Sequence, residues 1–446
     1  MNLKNNVINC YIYFLFILIF IGLNYLDSGC GSIEPNNNDL KNFISLDLID
    51  YSCTEAWVRV KTKNITFPIL FTTRINNRAY GGGMLSANDT VIYINSFSPS
   101  NKNTIAISIS STFHPDSTSQ IVFNSLDTTI ENFSLELDTL GDTQSEVTGL
   151  WGTANNSLWA VGSFTTDGPT SFLAYFNGDT WEKLYPPAFY NEKGILGGDL
   201  EGIFGLNNEC IWVVGFRKPY YDSTYAFVGN FNGSSWVNVS PSIPEVILND
   251  VWASDNNNVW AVGSGGTILH YNGSNWVKQE SGTNFILWDI DGISQRNIYV
   301  VGFSIDLDKG VVLHYDGTEW KTVDFFSGFG PMLSVCALSD HKIWIVGNTT
   351  ATNFNGEKWN MLGLIEDNLR VVKGINYNDI FFGGYEGAFK HFNGLNIGPI
   401  DNNMPWNGYT YINDIAVFKD RVFFAGRGGI GFDQRGLIYL LSNSLK

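Results

Sequence analysis

The stretch LNDVWASDNNNVWAVGSGGTILHYNGSNWVKQE, Leu248–Glu280, is one copy of a recurring unit, and that recurrence constrains the fold more than any other feature. A glycine closing a VG-type dipeptide returns at Gly162, Gly215, Gly263, Gly302, Gly347, Gly383 and Gly426, a mean spacing of 44 residues. This period suits one four-stranded sheet per repeat and is too long for leucine-rich or tetratricopeptide units. Each copy opens with an apolar run (VTGLWG, LEGIFG, LNDVWA, LWDIDG, LSVCAL, LRVVKG, INDIAV) and continues with a second (SLWAVG, CIWVVG, NVWAVG, NIYVVG, KIWIVG, DIFFGG, RVFFAG). Their β-branched and aromatic residues fit pleated strands packed on both faces. Six copies end a third run at Asn-Gly or Asp-Gly, closing at Gly178, Gly233, Gly273, Gly317, Gly356 and Gly394, where primed turns between antiparallel strands are expected. A Trp follows three residues later in five of them: Trp181, Trp236, Trp276, Trp320 and Trp359; the sixth has Ile397.

The seventh copy stops after its third run, at GLIYLLSNSLK. Just upstream of the first copy, Phe133–Asp138 alternates Phe133, Leu135 and Leu137. A ring of sheets left open exposes an unpaired edge, so this segment is expected as the missing outer strand of the seventh sheet. The expected fold is all-β: a seven-bladed β-propeller over residues 132–446, with 132–140 as the closing strand. Residues 43–131 read as a separate β-sandwich, because runs such as FPILFTTRI, DTVIYINSF and NTIAISIS recur at sandwich-like spacing.

The repeat unit resembles that of bacterial secreted and lipoprotein β-propellers, and is distantly similar to propellers of the photosystem II assembly factor type. The resemblance covers about residues 132–446. SCTEAWVRV, with Trp57, resembles the second strand of a fibronectin type III domain. The Leu-x-Pro of that family stands here as Phe97-Ser98-Pro99, and Asn103 occupies the place of its Tyr. These resemblances imply a fibronectin type III-like sandwich followed by a propeller. They imply no single activity, because propellers host many roles.

The N-terminus points to export. Lys4 precedes an apolar run from Tyr11 to Leu23, short for a membrane span and suited to a signal-peptide core. Residues 1–29 are expected as a signal peptide and 30–42 as a polar linker. Ser28 and Gly29 before Cys30 resemble a bacterial lipoprotein signal, in which the cysteine becomes the lipidated first residue; Asp27 departs from it where an aliphatic residue is usual. The expected location is the cell envelope, through a lipid on Cys30, or the exterior after ordinary cleavage. Cys53, Cys210 and Cys336 are widely separated and read as buried thiols rather than a disulfide framework.

With 43 acidic and 26 basic residues, the chain carries a formal charge of −17. Phosphate-rich nucleic acid is therefore not an expected partner, and membrane contact is expected only through the lipid. The turns NGSNW and DGTEW resemble the Asp-box of sialidases with altered spacing, yet the arginines such an enzyme needs are scattered. DIDG (Asp289–Gly292) and DLDK (Asp306–Lys309) lack calcium-loop spacing. His270, His314 and His391 hold the same third-run position in different copies, which suits packing. No catalytic residue, metal or cofactor is expected, and the chain is expected to be monomeric.

A binding surface is expected where long connections gather. Gly215–Tyr225, Gly426–Gly436 and the entries into the second and seventh copies belong to copies seven, one and two, neighbours in a closed ring. Their aromatic and basic residues are Phe189, Tyr190, Arg217, Lys218, Tyr220, Tyr221, Trp406 and Arg427, the types that contact surfaces favour. The expected function is a non-enzymatic interaction module that binds a protein or glycan there. The alternative is a glycan-active hydrolase or lyase using the central channel. Convergence of Glu201, Asp250, Asp289, Arg370 and Asp414 at that channel distinguishes the alternative.

Overall fold

The computed structural model describes residues 43–111, 114–129, 133–190, 198–220, 223–304, 307–323, 326, 329–348, 350–364, 368–400, 409–430 and 433–443. The leader, Cys30, Tyr221 and Trp406 lie outside them. The described chain is all-β apart from short 3₁₀ turns, among them Pro187–Phe189 and Ser264–Gly266. It divides into two compact units, one ending at Asp127 and one spanning Thr128–Lys446. The second unit thus begins before residue 132. Thr129 explains the difference: its hydroxyl donates to the Asn378 carbonyl and meets the His391 ring.

In the first unit, a three-stranded and a four-stranded antiparallel sheet enclose one apolar core. Ala56, Val58 and Val60 face that core with Ile94, Ile105, Ile107 and Ile109. Trp57 alternates to the opposite face, where it meets its cross-strand partner Tyr93.

The second unit contains seven four-stranded antiparallel sheets among the described residues. Six run in simple sequence order. In the seventh, Phe133–Leu140 pairs with Asp433–Asn443, setting Leu135 against Leu441 and Leu137 against Tyr439. The first strands of the sheets are Glu146–Ala154, Leu200–Asn207, Leu248–Asp255, Ile286–Ser294, Met332–Ser339, Leu369–Asn376 and Tyr409–Val417. Each packs against the next, and the seventh packs against the first. They are called the inner strands below.

Aromatic residues fill the space between sheets. Trp236 of the second sheet lies 5.7 Å from Trp159 of the first, and Trp276 of the third lies 6.0 Å from Trp212 of the second. The repeat histidines stack within their own sheets: His270 on Trp260 at 4.3 Å, His314 on Tyr299 at 4.5 Å and His391 on Phe381 at 4.6 Å. Their Nε2 atoms meet Asn258, Asn297 and Asp379. Cys53, Cys210 and Cys336 are buried free thiols.

Two local expectations change. The Asn-Gly and Asp-Gly pairs do not form primed turns, which need positive φ at both central residues. Only the glycine has positive φ, 86° at Gly273 for example. The Asn272 side-chain oxygen instead accepts the N–H groups of Ser274 and Asn275, and that Asx cap holds the turn. The recurring glycine of the sixth copy is Gly384, not Gly383. Gly384 pairs with Leu369 as Gly263 pairs with Leu248. At both, a Cβ would collide with the carbonyl preceding the inner strand, of Asn368 or Ile247.

Candidate binding site at the channel mouth

All seven inner strands line one axial cavity of about 610 Å³. In every sheet the end of the second strand pairs with the start of the inner strand, so the connections after the second strands surround the cavity end where inner strands begin. Two long connections there are extended hairpins rather than loops: Cys210–Tyr220 with Ser223–Phe231, and Arg421–Ile430 with Asp433–Asn443.

This mouth gathers charge of both signs. Arg427 Nη1 pairs with Glu146 at 3.2 Å, and its guanidinium lies 4.9 Å from the centre of the Tyr411 ring. Arg370 donates to the Tyr385 hydroxyl at 3.0 Å and lies 5.5 Å from the Trp288 ring and 5.4 Å from the Tyr385 ring. Stacking on aromatic faces holds both guanidiniums in place. Asp199 and Glu201 share this wall of the cavity. Burial, then the charges of Asp199 and Glu146, push the Glu201 carboxyl up to about 8, so it is mostly protonated at neutral pH. Burial also raises Asp199, against the pull of Lys218.

Deeper in the channel, carboxylates stitch three of the inner strands to the next. Asp250 accepts the Ile290 N–H at 3.1 Å, Asp289 that of Val335 at 2.8 Å, and Asp414 that of Leu150 at 2.7 Å. Ser334 does the same for Val372. At the junction of the second and third sheets the equivalent residue is Gly202, whose missing Cβ leaves room for the Asp250 backbone. Burial works against the charge of Asp289, but Lys373 and hydrogen bonds from Asp250, Ser334 and Val335 hold its pKa below the usual range. Asp250, also buried and beside Asp289, is raised well above that range, so the pair shares a proton. Burial pushes Asp291 and Asp414 up to about 6, with Lys373 pulling the other way. Lys373 keeps its charge despite burial, because Asp289, Asp414, Asp291 and Asp250 surround it.

The residues expected at the rim separate into groups. Phe189 is 1% exposed and packs edge-on against Phe227 and Trp236 at 5.2 and 5.3 Å, so it is a core residue. Its 3₁₀ turn folds back between the first and second sheets. Tyr190 is half-buried and donates to the Thr170 carbonyl at 3.2 Å; burial pushes its hydroxyl up to about 12. Arg217 and Lys218 stand on the second-sheet hairpin, over the Tyr225 and Phe216 rings. The Tyr220 backbone pairs with Ser223 at its tip. Arg427 reaches the mouth.

Glu201, Asp250, Asp289, Arg370 and Asp414 all line the same cavity. Sequence reasoning did not place Glu146, Asp199, Trp288 and Lys373 there, nor Tyr385 and Tyr411 beside Arg370 and Arg427. The available signal was the fifth position of the inner strand, counted from the residue paired with the recurring glycine. It is Trp151, Phe204 and Trp252 in the first three copies, then Asp291, Cys336 and Lys373. A large apolar position that turns ionisable in adjacent copies marks a wall with a separate task.

No protein-family model and no curated protein matches the chain. Solved structures do. One described as YCF48 bound to D1 peptide aligns with a TM-score of 0.50 at 15% identity, over 70% of this chain and 95% of that chain. The WD40 β-propeller domain of Doa1 aligns at 0.49 and 12% identity, over 70% and 98%. YCF48 from Cyanidioschyzon merolae aligns at 0.48 and 15%, over 70% and 99%. At such identities the likeness is one of fold: the chain contains a β-propeller.

Proposed function

We propose that this chain is a non-enzymatic interaction module that binds a polypeptide or glycan at the channel mouth, on the face of the second- and seventh-sheet hairpins. The observation that carries this reading is the convergence of Arg370 and Arg427, each stacked on an aromatic ring, with Glu146, Asp199 and Glu201 on one cavity. Rigid Arg and aromatic groups lose little entropy on binding and anchor contacts well. The YCF48 structure, itself bound to a peptide, supports a polypeptide partner for a ring of this kind. The test is affinity capture from envelope extract, with peptide-display and glycan-array screening of the same protein. The double variant Arg370→Ala/Arg427→Ala is expected to lose the captured partner. Identical capture by both proteins places binding elsewhere.

The hydrolase reading has one observation in its favour: Glu201, held protonated at neutrality, beside Asp199. Raised carboxyls of this kind serve as general acids in glycosidases. Its test is cleavage of a glycan panel by the parent and by Glu201→Gln. Against it, Asp250, Asp289 and Asp414 are committed to backbone N–H groups between sheets.

The architecture belongs to the same proposal: a seven-bladed propeller closed by Phe133–Leu140, preceded by a sandwich module of fibronectin type III type. The seven sheets support the first part. Asn103, and Trp57 buried on the sheet face opposite the core, are its departures from the second. Export, and a lipid on Cys30, complete it. Cys30→Ser is expected to release the protein from the membrane fraction. Unchanged fractionation, with no lipid mass on the mature N-terminus, ends that part.

A further inference from the structure

We infer that the axial cavity is a binding site for a neutral, hydroxyl-rich ligand, the sugar residue of a glycan, with Lys373 as its deep hydrogen-bond donor. The inference rests on the mouth being the binding face, and names the chemistry that enters below it.

Lys373 carries the argument. Its side chain is partly buried and lines the cavity. Four carboxylates surround it, yet it makes no hydrogen bond or salt bridge among the described residues. Its ammonium opens onto the cavity, where its three donors are available to whatever enters. A group that meets it there must accept hydrogen bonds.

Charge then decides which acceptor. Seven acids and three cations line the cavity. An anion entering toward Lys373 meets the surrounding carboxylates. A cation meets Lys373 at depth and Arg370 and Arg427 at the mouth. A hydroxyl avoids both penalties, because one atom accepts from an ammonium and donates to a carboxylate. Glu201, held protonated, can donate or accept in turn. Trp288 adds an aromatic wall, and 610 Å³ lies within the range of small-ligand sites.

The test uses the full chain with glucose, galactose and mannose, each compared with its amino-sugar and uronic-acid counterpart, by saturation-transfer NMR and calorimetry. At least one neutral sugar is expected to bind, with both of its charged counterparts weaker by about tenfold or more. Lys373→Met is expected to weaken binding by about tenfold, the loss of a charge-assisted hydrogen bond. If that variant does not fold, the pair Glu201→Ala and Trp288→Ala replaces it with the same expectation. Absence of neutral-sugar binding, tighter binding of a charged counterpart, or insensitivity to these substitutions overturns the inference. Polypeptide capture that depends on Arg370 and Arg427, without sugar binding, overturns it while leaving the interaction module standing. Loss of both brings down both.

Discussion

Asp414 Oδ2 accepts the backbone N–H of Leu150 at 2.7 Å, so a side chain of the seventh inner strand is bonded to the main chain of the first. Its other oxygen accepts the N–H of Ile415. Asp414→Ala leaves the Leu150 N–H without its partner and is expected to cost about 1–3 kcal/mol. Asp414→Asn, which retains one acceptor oxygen, is expected to cost less. Denaturant melts of the three proteins check the order; equal midpoints remove the carboxylate from ring closure.

Glu201 makes stability depend on pH. Its folded pKa, about 8, lies above the ordinary 4.5. A raised carboxyl binds its proton more tightly in the folded state. Its contribution is therefore most favourable below pH 4.5 and is lost as pH rises to about 8. The slope across that window is at most ~1.4 kcal/mol per pH unit. Glu201→Gln cannot ionise, so its melting temperature is expected to pull ahead of the parent from pH 5 to 8 and then hold a constant lead. A lead that does not grow with pH refutes the assignment.

The pairing of Phe133–Leu140 with Asp433–Asn443 can be removed by trimming. A chain beginning at Glu146 is expected to be less stable than one beginning at Thr128 by about 5 kcal/mol. It exposes a sheet edge and removes buried Leu140 with half-buried Phe133, Leu135 and Leu137. Superimposable thermal melts of the two chains contradict this.

Trp276 packs against Trp212 in the preceding sheet and donates its indole N–H to the Val239 carbonyl at 3.0 Å. Trp276→Ala is expected to cost about 3 kcal/mol, through the lost contacts and the acceptor left behind. Trp276→Phe is expected to recover part of this. A chemical-denaturation series of the two variants measures both.

The inner strands show where sequence reasoning reaches its limit. LNDVWA reads as a strand from its own composition, and Asn272-Gly273 reads as a turn. The Asx cap was less visible, because Asn-Gly serves two turn types and only the backbone angles separate them. Phe189 reads as a rim aromatic because it lies in the long entry into the second copy. It is buried because a single 3₁₀ turn carries it back against Phe227 and Trp236.

The sequence by itself determined the period, the strand order within the first six sheets, and most of the glycines and aromatic residues on which each repeat depends. These follow from interactions within about 45 residues, so they are written locally in every copy. Only the tertiary structure decided that Arg370, Glu201 and Lys373 share a cavity and that Leu137 lies beside Tyr439. The physical reason is that each sheet contributes one inner strand to a common axis. Residues far apart in the chain then meet by virtue of equal position in their repeats, and their charges shift one another only once the ring has closed.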